Sequence, residues 1–145
     1  MADTGSNTPI ASKHIFLHQL SEQRVNTKVR FLCCIIEYDD HEGCLIVEHR
    51  YPRNTLTLTR ALVDVNLVLE TAKGNLLNEG TWLNVIGYVQ ELGSKRRRLN
   101  AEGTKSATRT SLSHVQAVLI WDAGSLHVDQ YEQILEKHLA TVSED

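Results

Sequence analysis

The stretch EGTWLNVIGYVQELGSKRRRLNAEGTKSATRTS, Glu79 to Ser111, opens as a β-strand and turns into a run of positive charge. In its first third, Leu83, Val85 and Val89 alternate with Trp82, Ile86 and Tyr88. That is the two-residue period of a strand with two different faces. Gly87 falls in the middle, where a glycine weakens a strand and marks a sharp bend or a bulge. A short, strongly curved strand is what a small closed barrel needs.

Working outward, four further segments read as strands. KVRFLCCIIEY, Lys28 to Tyr38, is rich in β-branched and aromatic residues and too short for a helix. The turn DDHEG leads into CLIVEH, Cys44 to His49, as the returning arm of a hairpin. Pro52 and Asn54 then break the chain, and TLTLTRALVDV, Thr55 to Val65, alternates again. HVQAVLIWDAG, His114 to Gly124, is the fifth strand. Between strands three and four, DVNLVLETAKG reads as a short helix, with Asp64 as N-cap and Gly74 as its stop. HIFLHQL, His14 to Leu20, reads as either a helical turn or an extended lead-in.

The pattern predicts a mainly β fold: a five-stranded OB-fold barrel with a short helix between strands 3 and 4 and a C-terminal helix. The helix is expected over about 126–142. Val128, Tyr131, Leu135, Leu139 and Val142 fall at spacings of three and four and form one apolar stripe, and Asp129 with Glu132 resembles a capping box. Residues 1–13 are polar and expected to be a disordered tail, with the domain running from 14 to 145. The first strand is apolar on both faces from Phe31 to Ile36, so its outer face needs a cover, either a helix or another chain. Phe31 and Trp121 are expected in the core.

The totals bound the function. A chain of 145 residues supports one core. Apolar content of 41% and charged content of 23% are ordinary for a globular protein, and no apolar run reaches the roughly 20 residues of a membrane helix. The start of the chain has no apolar signal region. Cys33, Cys34 and Cys44 match neither a disulfide framework nor a zinc spacing and read as small buried hydrophobes, which points to an intracellular protein.

The net charge is −3, yet Lys95, Arg96, Arg97, Arg98, Lys105 and Arg109 crowd one segment against a single Glu102. In an OB-fold the loop between strands four and five flanks the nucleic-acid face, and a cationic arm there suits phosphate tracking. The same residues also fit a solvated loop or a nuclear import signal. Aromatic residues are only 6%, and Tyr38, Tyr51, Trp82 and Tyr88 are the rings left for base stacking. That argues for an accessory binder. No phosphate-binding glycine loop or nucleophile elbow is present, and DDHEG, Asp39 to Gly43, reads as a solvated turn and not as a metal site. Neither an enzyme nor a cofactor is expected.

The blocks KVRFLCCIIEYD, LIVEHRYP, ALVDVNLVLET and EGTWLNVIGYVQ, with the terminal amphipathic helix, resemble the fungal Ten-one family of CST telomere-capping subunits. The similarity spans about Lys28 to Val142, and the cationic segment departs from it. The resemblance implies an OB-fold with a C-terminal helix that pairs with the N-terminal OB domain of a Stn-one-like subunit, through barrel wall and terminal helices. It implies a nuclear, telomeric protein, a larger CST complex, and single-stranded telomeric DNA as a ligand of the complex. Carried onto this chain, the partner-binding positions are Val128, Tyr131, Leu135, His138, Leu139 and Val142, with Tyr131 as first anchor. The nucleic-acid positions, the six cations and Tyr88, follow from the loop reading and not from the resemblance. Two alternatives stand beside it: an accessory subunit of a replication protein A-like complex on DNA or RNA, and a purely structural subunit that stabilises its partner.

Overall fold

The computed structural model describes residues 11–54, 57–72, 76–91 and 109–143. Among these, six strands form one sheet: β1 (Lys13–His14), β2 (Lys28–Asp39), β3 (Cys44–Glu48), β4 (Thr57–Asp64), β5 (Trp82–Gln90) and β6 (Arg109–Asp122). Five of them close into a ring because β2 serves two neighbours. Its first half pairs with β5, from Lys28 opposite Tyr88 to Cys34 opposite Trp82. Its second half pairs with β3, from Cys34 opposite Glu48 to Asp39 opposite Cys44, with a bulge between Ile35 and Glu37. The antiparallel pairs β3–β4 and β5–β6 and the parallel pair β4–β6 complete the circuit. This is the OB-fold barrel that the sequence predicts. The two-residue β1 lies parallel to β2 at Val29 and Arg30, on the edge that β3 leaves free.

Alternation fills the interior. Phe31, Cys33 and Ile35 of β2, Leu45 and Val47 of β3, Ala61 and Val63 of β4, Leu83 and Val85 of β5 and Val115 of β6 are all buried in one cluster. Removing a large aliphatic or aromatic side chain of this kind from water contributes about 1.5–3 kcal/mol. A 3-10 turn, Leu17–Glu22, sets Leu17 and Leu20 into the same cluster, so HIFLHQL is both an extended lead-in and a turn. The expected irregularity is at Gly87: the β5–β6 register shifts between Ile86 and Gly87. A Cβ at position 87 would lie 2.3 Å from the Gln116 carbonyl oxygen, which makes glycine a requirement of that close approach.

Three expectations need correction. Where a short helix was expected after strand three, residues 66–71 are successive turns. Asp64 ends β4, and its carboxylate accepts from both the backbone and side-chain amides of Asn66, which closes a turn of its own. Asn66 also donates to the Glu42 carbonyl, and Val65 N–H donates to Gly43, so this link is tied to the β2–β3 turn instead of coiling. Gly74 lies outside the described residues. The fifth strand starts earlier than expected, at Arg109. Finally, Trp121 is half-exposed on the outer wall, with the Arg30 guanidinium 5.3 Å from its ring centroid, while Phe31 is in the core.

Candidate partner interface

The C-terminal helix, Val128–Ser143, lies on the outside of the barrel and is held there by two flanks of different chemistry. On one flank Asp129, Glu132 and Glu136 recur at helical spacing and meet the segment His49–Arg53. Glu132 Oε2 is 2.7 Å from His49 Nε2, with both side chains almost fully buried. Arg53 Nη2 donates to Asp129 Oδ1 at 2.6 Å, and Tyr51 donates its hydroxyl to Glu136. The Tyr51 ring stacks on Phe16 at 4.2 Å, and the edge of His49 meets Trp82. Asp129 and Glu132, the pair that resembles a capping box, thus reach across to the barrel.

The second flank carries Tyr131 and Leu135. Leu135 is 2% exposed, and Tyr131 is half-buried with its hydroxyl 2.7 Å from His14 Nε2. Burial raises the Tyr131 pKa to about 12, against a smaller opposing effect of Arg30. The phenol therefore stays protonated and is able to donate to a neutral His14 ring. Burial, then the charges of Arg30 and His138, lower the His14 pKa, which keeps its ring neutral and able to accept.

Of the expected partner positions, Leu135 faces the chain's own barrel and Tyr131 is half-committed to it. Val128 and Leu139 are half-buried and His138 is exposed, while the Val142 side chain lies outside the description. The apolar residues that remain open are Ile134, 69% exposed, and Leu126, 39% exposed. Neither was singled out from the sequence. The available signal was that Ile134 shares a helix row with Gln130 and His138, next to the stripe and not in it. Together with His14, His127, Tyr131 and His138 they line an open pocket of about 470 Å³.

His14 of the pocket pairs with Arg30 of the barrel wall. Strand register sets three rows across β2, β5 and β6: Lys28–Tyr88–Gln116, Arg30–Ile86–Leu119 and Leu32–Asn84–Trp121. These rows contain no carboxylate. Leu119 is 50% exposed, and its neighbour Val118 is also open. Arg30 joins the two surfaces, since its charge acts on both His14 and Tyr131. Leu32 and Asn84 are buried, and the open part of the wall, with Leu119, Ile86, Tyr88 and Trp121 beside Lys28 and Arg30, has the composition of a protein-binding patch.

The expected nucleic-acid positions separate. Lys95, Arg96, Arg97, Arg98 and Lys105 lie outside the described residues. Arg109 is the first residue of β6, opposite Thr57, instead of a loop residue. Tyr88 is half-exposed on the wall beside Lys28. At the other end of the barrel, Asp39 folds the hairpin turn by accepting from the amides of His41 and Glu42. Among the described residues no group of three His, Cys, Asp or Glu side chains is placed to hold a metal ion.

Comparison with known proteins agrees with this architecture. One chain of the S. pombe Stn1–Ten1 complex superposes with a TM-score of 0.63 at 20% identity, covering 92% of this chain and 96% of that one. The telomere capping protein Ten1 of S. pombe gives 0.61 at 20% identity, covering 90% and 99%. The U. maydis replication protein A bound to single-stranded DNA gives 0.56 at 13% identity, covering 89% and 90%. At these identities the shared property is the fold. No curated protein matches the sequence. The family model described as "Telomere capping, CST complex subunit" matches residues 3–136, nearly the whole chain. The chain belongs to the Ten1 family of telomere-capping CST subunits.

Proposed function

We propose that this chain is the small OB-fold subunit of a nuclear, telomere-bound complex, where it pairs with a Stn1-like OB subunit and supports end protection without catalysing a reaction. The observation that carries the reading is the set of exposed apolar side chains, Leu126 before the helix, Ile134 on it and Leu119 on the wall, together with half-exposed Trp121 beside Arg30. An aliphatic side chain held 69% exposed on an otherwise anchored helix is stabilised when a partner covers it. Tyr131 and Leu135 act behind that surface by fixing the helix that presents it. The test is co-purification with the Stn1-like subunit. Ile134→Asp with Leu119→Asp is expected to abolish pairing while leaving the barrel folded, and undiminished pairing would rule this surface out.

Single-stranded DNA enters the reading through the cations Lys95–Arg98, Lys105 and Arg109, which follow β5 in the sequence and suit phosphate contacts. A purely structural role is the second reading, favoured by the exposed acidic turn of Asp40 and Glu42, which repels phosphate. Titrating a labelled telomeric oligonucleotide against the isolated chain and against the heterodimer separates the two. Equal binding by the partner alone and by the heterodimer would favour the structural role.

A further inference from the structure

We infer that the pocket beside the helix receives its partner with His14, His127 and His138 uncharged, so that acidification loosens the heterodimer. This rests on the partner surface proposed above and adds a proton to its binding equilibrium. The three imidazoles come from β1, from the residue just before the helix and from the helix itself, and line one open pocket with Leu126 and Ile134.

The charge around the pocket is one-sided. From β2, Arg30 acts on His14, and from the helix, His138 adds like charge and Tyr131 adds a hydroxyl but no anion. Lys13 and Lys137 are the basic neighbours in sequence, both exposed. The helix carboxylates nearby, Asp129, Glu132 and Glu136, are engaged with Arg53, His49 and Tyr51 on the opposite flank. Among the described residues no carboxylate lines the pocket. An imidazolium there, once covered by a partner, loses water and gains only like charge.

The sign follows from linkage. Covering the pocket depresses the imidazole pKa values relative to the free chain, so the bound state holds fewer protons. Affinity is then fully present above the free-state pKa and lost as pH falls through it. A ring with the reference imidazole pKa near 6.5 that binding neutralises weakens the complex about tenfold between pH 7.5 and pH 5.5, and His14, already lowered by burial, weakens it less.

The experiment is calorimetric titration of the full chain with its Stn1-like subunit at pH 7.5, 6.5 and 5.5, in buffers of different ionisation enthalpy that count released protons. Circular dichroism at each pH checks that both proteins remain folded. Loss of affinity towards pH 5.5 with proton release, flattened by His127→Gln/His138→Gln and further by adding His14→Gln, supports the inference. The double variant leaves the His14–Tyr131 bond intact, so misfolding of the triple variant does not decide the matter. Tight binding that is independent of pH, or tightens on acidification, overturns the inference and leaves the heterodimer standing. A pH dependence unchanged in both variants overturns it too and moves the proton to other groups, His49–Glu132 first. No binding at pH 7.5 refutes the heterodimer itself.

Discussion

A methyl group at position 87 would collide with the Gln116 carbonyl, so backbone, not side chain, sets what residue 87 can be. Gly87→Ala is expected to lower stability by about 2 kcal/mol, read as a shifted urea midpoint, because the obstacle is a strand and not a flexible side chain. An unchanged midpoint would mean that β6 can slide, and would remove the bulge from the reasons the barrel closes here. The buried pair His49–Glu132 is a second single-residue test. Glu132→Ala leaves the His49 ring without its acceptor and is expected to cost about 2 kcal/mol in thermal unfolding, with Glu132→Gln recovering most of it. Arg53–Asp129 is shorter by 0.1 Å but exposed on both sides, so its removal should matter far less.

At the scale of the element, the C-terminal helix presents a buried apolar row and, beside it, one exposed apolar side chain, Ile134, with opposite duties. Leu135→Ala removes a buried side chain from the helix–barrel contact and is expected to destabilise the isolated chain by about 3 kcal/mol. Ile134→Asp should leave the stability of the isolated chain within about 0.5 kcal/mol, because the residue is exposed, while lowering affinity for the Stn1-like subunit at least tenfold. Denaturation curves and binding isotherms on the two variants give a crossed pattern. If both variants destabilise the free chain equally, the assignment of inner and outer positions is wrong. The link after β4 shows the same division of duty: Val68 is buried while Leu67 is 63% exposed, which a turn can arrange as readily as a helix.

Across the whole molecule, β4 runs between the β2–β3 turn and the start of β6. At one end Asp64 is tied to Asn66 and the acidic β2–β3 turn, and at the other Thr57 pairs with Arg109 at the close of the cationic segment. Neutralising Lys95 to Arg98 in the complex is expected to flatten the salt dependence of single-strand binding by about 3 log–log units if all four contact phosphate. An unchanged slope would assign this segment to import or to solvent.

The inward residues of the barrel, the irregularity at Gly87 and the existence of the terminal helix were legible in the sequence, because alternation, helical period and the lack of a Cβ are local properties. Three things were settled only by the tertiary structure. Asp64 had the chemistry of a helix cap, but the nearness of Asn66 to the β2–β3 turn made it close a turn. Trp121 was apolar enough for the core, but strand register set it outside beside Arg30. Tyr131 and Leu135 fell on the stripe that a partner could have covered. Which row of an amphipathic helix turns inward depends on what the barrel offers it. Here His49, Tyr51 and Arg53 hold one flank by its carboxylates and His14 receives Tyr131, which rotates Ile134 out to solvent.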